Sequence, residues 1–229
     1  MANYSQSIDF SAKDALATGN PSKKVLGSDI DTELGLIQTA IATKQDTSSS
    51  GSTLTSLAAS AGASVVLIQS ETASASATLD LALNLTDYAR HIIHIEGLKP
   101  ATDNVEFWGR VSSDDVTYAT ANYRWSRHNL TDSATEGLAG DTSDAQFLMA
   151  NAVGNQDGEQ VFGTIEIASV SGMGVRVSWR LSGENAAGSY YMINGMGAYV
   201  ATASTYFRLL FSSGNITSGT VYLYGFKKA

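Results

Sequence analysis

The chain contains no cysteine among its 229 residues. Disulfide bonds, thiolate nucleophiles and zinc sites built on cysteine are therefore excluded. Charged residues are also scarce, at 16% against about 25% in typical globular domains. Because 43% of the residues are hydrophobic, a core can form, and we expect the surface to be dominated by Ser, Thr, Asn, Gly and Ala.

Positive charge is neither abundant nor clustered. The net charge is −8, and the only adjacent basic pairs are Lys23 with Lys24 and Lys227 with Lys228. Since an acidic chain repels phosphate backbones, we expect no nucleic-acid partner. The sequence contains no run of about 18 apolar residues, so it predicts no membrane span. The N-terminus does not resemble a secretory signal, which indicates synthesis without export through a signal peptide.

Residues 1–46 are predicted to form an anchoring segment that contains a short helix at about residues 28–44. Ser28 is the expected N-cap, with Asp31 three residues later. Residues 1–27 are interpreted as a tail that orders against a partner; a disordered terminus is the alternative. Residues 47–64 are rich in Ser, Thr and Ala and are predicted to be a linker.

The predicted helix carries an apolar seam of period 3.5. Four residues recur at spacings of four, three and four: Ile30, Leu34, Ile37 and Ile41. This seam is typical of a coiled coil, but two heptads are too short to associate alone in water. We therefore expect several copies to be held together by a larger domain; a lone helix docked on its own domain is the alternative.

Residues 65–229 are predicted to be an all-β domain, because the apolar period changes to two from about Val65. Nine or ten short strands, separated by turns, indicate a jelly-roll-like β-sandwich. The last strand is apolar on both faces, which is typical of a strand covered on both sides. We expect Tyr222, Tyr224 and Phe226 to contact a neighbouring subunit.

No catalytic or metal centre is predicted. His91 and His94 lie three apart on a predicted strand, so their side chains point to opposite faces and do not grip one ion. The acidic residues lie mostly in predicted turns, where Asp caps the backbone. A calcium site built from these turn carboxylates remains an alternative. We otherwise expect no enzyme activity, no cofactor and no metal.

Three aromatic residues are candidates for binding a glycan, because flat rings stack on sugar rings. They are Trp108, Tyr123 and Trp125. The alternative is that these rings pack under a loop or against a second subunit.

Residues 24–47 resemble a segment found near the N-termini of phage tail-fibre-like and other virion proteins, in which a Gly-Ser-x-Ile-Asp step leads into a short helix ending in Ala-Thr-Lys. The matching residues are Gly27, Ser28, Ile30, Asp31, Ala42, Thr43 and Lys44. Residues 212–229 are similar to the closing strand of phage β-sandwich modules, through Ser218-Gly219 and Tyr224-Gly225.

This resemblance implies a homotrimeric virion structural protein made in the host cytoplasm. Its N-terminal segment would attach to a capsid, tail or adaptor protein, and its β domain would face outward. A short tail fibre, spike, head fibre or capsid decoration subunit fits this description. The alternative is a host-attachment module that recognises a surface glycan, and a depolymerase is a third candidate.

Overall fold

The structure, a computed structural model, describes residues 7–45, 65–169, 174–201 and 203–228. The chain divides into two compact units, Met1–Ala63 and Ser64–Ala229. The predicted linker at 47–64 lies outside the described residues.

The described part of the N-terminal unit, residues 7–45, is helical. It contains α1 (Phe10–Asp14), a 3-10 turn (Pro21–Lys23) and the 19-residue helix α2 (Gly27–Gln45). The helix begins before Ser28, so the cap predicted there is wrong. The carboxylate of Asp29 accepts a hydrogen bond from the backbone N–H of Leu26 at 3.0 Å, which satisfies one of the free donors at the helix start. Lys13 also pairs with Asp29.

A buried carboxylate ties the start of the described chain to α2. Glu33 Oε1 accepts hydrogen bonds from Ser7 N, Ser7 Oγ and Ile8 N, at 2.8, 2.8 and 2.6 Å. Three charge-assisted bonds to one oxygen offset the cost of burying this carboxylate. Residues 7 and 8 are thus ordered by α2 itself; the predicted partner for residues 1–27 stays a prediction.

The described residues of the second unit form twelve strands. They are β1 (Val65–Thr72), β2 (Leu79–Ala82), β3 (Tyr88–Pro100), β4 (Val105–Ser112), β5 (Tyr123–Thr131), β6 (Glu136–Asp144), β7 (Phe147–Val153), β8 (Val161–Ser169), β9 (Val175–Glu184), β10 (Tyr190–Tyr199), β11 (Tyr206–Phe211) and β12 (Ile216–Lys227). All pairings are antiparallel. The larger sheet has the order β1-β12-β3-β8-β9-β10-β5-β6, and the smaller has the order β2-β11-β4-β7.

The strand order confirms the predicted jelly roll. Without β5, β6, β9 and β10, the remaining strands form two four-stranded sheets, β1-β12-β3-β8 and β2-β11-β4-β7. This is the order produced when a double-sheet jelly roll winds its eight strands into two sheets. The hairpins β5-β6 and β9-β10 are insertions, and both extend the larger sheet beyond β8. We call these four strands the extension.

Alternation along each strand decides which residues enter the core. On β9, for example, Val175, Val177, Trp179 and Leu181 are buried, whereas the residues between them are exposed. Buried residues from both sheets form one hydrophobic cluster. Each large apolar side chain buried there contributes roughly 1.5–3 kcal/mol. The same alternation directs the intervening side chains of the larger sheet to its outer face.

Candidate functional site

The seam on α2 is exposed in the N-terminal unit. The exposed fractions of Ile30, Leu34, Ile37 and Ile41 are 49, 57, 37 and 53%. Among residues 7–41, whose side chains the structure describes, only Glu33 and Ala40 are buried. These described residues therefore form no hydrophobic core that would explain why an apolar seam is present.

A second apolar surface lies on the outer face of β12 and its neighbours. Val221 and Leu223 point into the core, and Tyr222, Tyr224 and Phe226 alternate with them as partly exposed outward residues. Tyr224 lies between Leu67 of β1 and Ile92 of β3, and Phe226 lies beside Val65. We call the outer side chains of these three strands the apolar face: Val65, Leu67, Ile92, Tyr222, Tyr224 and Phe226. Its role in subunit contact stays a prediction.

The predicted glycan-binding role of Tyr123 is wrong, because its ring is fully buried. Its hydroxyl accepts a hydrogen bond from Val111 N at 2.9 Å and donates one to Ala119 O at 3.1 Å. The ring packs edge-on against Phe147 at a centroid distance of 4.8 Å. Burial raises the pKa of this hydroxyl, so it stays protonated and links two backbone segments.

The structure does not bring the two candidate tryptophans together. Trp125 is buried on the inner side of the larger sheet, and its Nε1 donates to Asp144 at 2.8 Å. Trp108 is half-buried on the outer side of the smaller sheet, where its Nε1 donates to Glu106 at 2.9 Å. The three predicted aromatic residues therefore do not form one open stacking surface.

The sequence prediction missed a row of arginines on the outer face of the larger sheet. Neighbouring positions across β3, β8, β9, β10 and β5 are Arg90, Ala168, Arg176, Ala198 and Arg124. The row therefore alternates arginine with alanine. All three arginines are exposed. Because neighbouring strands lie about 4.8 Å apart, arginines on alternate strands are separated by roughly 10 Å at their backbones.

Two of these arginines border a shallow groove of about 630 Å³. Ser126, Ser178 and Met196 line its neighbouring row. We call this the arginine groove. Arg124 and Arg176 make no ion pair or hydrogen bond with any residue that the structure describes. A second groove of about 670 Å³ shares Ser126 and Met196 with the first and continues over the extension.

One of the two acidic residues at the arginine groove is paired with a cation. Glu166 lines it and accepts a hydrogen bond from Arg90 at 2.5 Å. Asp141 lies on the edge strand β6 and accepts from Ser143 N at 2.7 Å. With Glu166 paired to Arg90, the charges of Arg124, Arg176 and Asp141 leave the groove with an excess of one positive charge on an acidic chain.

The histidines differ in environment. His91 is fully buried, and neither ring nitrogen has a hydrogen-bond partner. Burial lowers its pKa to about 4, so the ring is neutral at pH 7. His94 faces outward on the same strand, with its Nε2 at 3.4 Å from Glu96. Within the described ranges, no three His, Asp or Glu side chains are grouped to hold a metal ion.

Comparison with protein-family models, curated proteins and solved structures finds no match for this chain. Neither described α-helix of the chain is long and apolar enough to cross a membrane. The functional argument therefore rests on the geometry of the seam, the apolar face and the arginine groove.

Proposed function

We propose that this chain is a structural subunit of a phage particle that assembles with copies of itself, as a homotrimeric fibre, spike or decoration protein. The observation that carries the proposal is the exposed seam on α2, whose described neighbours at residues 7–41 form no hydrophobic core. Apolar side chains at heptad spacing are stabilised by packing against the same seam of another copy. Without such a partner, the exposed seam residues gain no stabilisation from packing.

The β unit supplies a second surface for the same association. Helices of two heptads associate weakly, because nucleation and the loss of freedom on association outweigh so few contacts. The apolar face adds three aromatic rings, and aromatic side chains dominate the energetics of many protein interfaces. Contact through both surfaces would hold the helices at high effective concentration.

The jelly roll supports a particle protein, since double-sheet jelly rolls recur in viral capsid proteins. A fold alone does not fix a function, so the virion assignment rests also on the resemblance of residues 24–47 to virion anchoring segments. In this proposal the N-terminal segment attaches the subunit to a capsid, tail or adaptor protein, and the β unit faces outward.

The first test is the solution mass of the full chain, measured by light scattering after size exclusion. A trimer weighs three times 24.1 kDa, about 72 kDa. The double variant Leu34→Asp/Ile37→Asp places charge in the seam and is expected to shift the mass towards the monomer. Thr39→Asp, on the opposite side of α2, is the matched control and should leave the trimer intact. A wild-type monomer at micromolar concentration contradicts self-assembly.

The particle assignment needs a separate measurement. Phage particles carrying the full chain, and particles carrying the chain without residues 1–27, are purified on a density gradient and analysed for peptides of this chain. We expect the full chain to sediment with particles and the truncated chain to remain at the top. Equal incorporation of both chains contradicts attachment through the N-terminal segment.

A further inference from the structure

We propose that the arginine groove binds an acidic polysaccharide, with Arg124 and Arg176 each holding a carboxylate of the polymer. This inference does not depend on self-assembly, because every residue of the groove belongs to the β unit of one chain. It also differs from the predicted aromatic site, which the structure does not assemble.

The groove exists because small side chains occupy its floor. Ala198 lies between the two arginines, and Ser126 and Ser178 flank Met196 in the next row. The small side chains of Ala198, Ser126 and Ser178 leave space above the sheet around Met196, and the longer arginine side chains border this space. The groove is thus open above and shaped for a ligand that lies flat on the sheet.

The two guanidinium groups determine the charge of the ligand. A guanidinium presents a planar fork of donors that matches a carboxylate with two parallel hydrogen bonds. Arg90 forms an ion pair with Glu166, but no described acidic side chain forms an ion pair with Arg124 or Arg176. Two exposed arginines without partners on a chain of net charge −8 therefore favour an external anionic ligand.

The spacing of the arginines favours a polysaccharide over a nucleic acid. Guanidinium-bearing positions about 10 Å apart suit a polymer that carries one carboxylate on every sugar or on alternate sugars, so that two of its carboxylates can reach the two arginines. A DNA strand carries one charge per about 3.4 Å, and most of these charges would meet no cation here. The net negative charge of the chain adds a long-range repulsion that rises with the charge density of the polymer.

The remaining lining fits a sugar backbone. The hydroxyls of Ser126 and Ser178 can donate to and accept from sugar hydroxyls, and Met196, 65% exposed, offers an adaptable apolar contact to the C–H faces of a ring. The second groove extends this surface past Asn194 and His128. An extended chain of several sugars can therefore lie along the two grooves, whereas a single sugar would occupy only part of them.

The test is a binding titration of the full chain at low salt with oligosaccharides of hyaluronan, alginate and polysialic acid. Neutral dextran and single-stranded DNA serve as comparison ligands. We expect binding to at least one acidic oligosaccharide, weakening as salt screens the charges, and no binding to dextran. Failure of all three acidic ligands to bind, or DNA binding as tight as theirs, overturns the proposal.

Variants locate the site. Arg124→Gln/Arg176→Gln is expected to weaken binding at least about tenfold, since charge-assisted hydrogen bonds are lost. Lys227→Gln/Lys228→Gln changes the net charge equally at the end of β12, three strands from Arg176 and outside the groove, and should weaken binding less than about twofold. Equal loss in both double variants means that bulk charge attracts the polymer, and this overturns the site.

A third variant tests the shape of the groove while keeping its charge. Ser178→Phe places a ring on the floor at an exposed position and retains both arginines. We expect it to reduce binding as strongly as the arginine double variant does, with an unchanged thermal unfolding midpoint. Full binding by a folded Ser178→Phe protein overturns the proposal that the polymer lies in this groove.

Discussion

Replacing His91 by Leu should stabilise the β unit, and more so in acid. The ring of His91 is fully buried on β3, edge-on to Tyr88 at a centroid distance of 5.8 Å. A neutral imidazole carries one donor and one acceptor, and here both lack partners. Each unsatisfied buried group costs about 1–3 kcal/mol. Leucine is of similar size and carries no polar atom, so we expect a gain of about 1–3 kcal/mol at pH 7.

The gain should increase as the pH falls. The pKa of His91 is about 4 in the folded chain, against the ordinary value of 6.5. Between these values the unfolded chain binds a proton that the folded chain does not bind, so acid favours unfolding. The loss begins below pH 6.5 and is complete below pH 4. It amounts to about 2 kcal/mol at pH 5 and about 3 kcal/mol at pH 4, because one pKa unit corresponds to 1.36 kcal/mol.

The assay is urea denaturation of wild type and His91→Leu at pH 7, 6, 5 and 4.5. The difference in unfolding free energy between the two proteins should widen steadily below pH 6.5. His94→Leu is the matched control, since it removes a histidine from the outer face of the same strand. A constant difference across this pH range, or an equal widening in the His94→Leu protein, would refute the reasoning that burial of His91 causes the effect.

Two further substitutions test the packing of the extension. Tyr123→Phe removes a hydroxyl that bridges two backbone groups and should lower the unfolding free energy by about 1–3 kcal/mol; Tyr222→Phe, on the apolar face, is its control in the same urea titration. Gly195→Ala adds a methyl that would lie 2.1 Å from the ring of Trp179, so we expect a loss of about 1–3 kcal/mol from overpacking. Gly137→Ala, whose nearest neighbour is at 3.8 Å, should cost less, and equal losses would contradict the packing argument.

Local patterns in the sequence predicted much of the fold. The helix predicted at about residues 28–44 is α2, and the period-two runs are strands, because helix spacing and strand alternation are visible in neighbouring residues. The edge strand β6 lacks this signal. Its residues are almost all exposed, so no buried face imposed an alternation of apolar and polar side chains on it.

The error at Tyr123 has a local cause. Tyr123 and Trp125 alternate with Arg124 and Ser126, so period-two spacing alone places both aromatic rings on one side of a strand. The prediction of a glycan site rests on the ability of flat rings to stack on sugars, and not on the side of the strand that the rings occupy. In the structure Arg124 points outward from the strand that buries both rings, whereas Arg127 is itself buried, with its guanidinium carbon 5.8 Å from the centroid of the Trp125 ring.

The arginine groove could not be predicted from local pattern. Arg124 and Arg176 lie on one row only because β10 is placed between β9 and β5. That strand order depends on where two inserted hairpins join the sheet of a jelly roll. The spacing of residues along the sequence does not predict where they join. The alternation along each strand predicts that these arginines point outward. It does not predict that they are neighbours in the sheet.

The insertions divide the outer face of the larger sheet into two regions with different chemistry. The apolar face lies on jelly-roll strands, whereas the arginine groove lies mainly on the extension, and the Arg90–Glu166 pair lies between them. Association through the apolar face would therefore leave the groove open on each subunit.

A short acidic oligosaccharide should then bind wild type and the Leu34→Asp/Ile37→Asp variant equally well. A long polymer that reaches several grooves should bind the assembled protein more tightly, since each later contact is intramolecular. Equal affinity of the long polymer for both proteins would mean that the grooves of one assembly cannot be reached by a single chain.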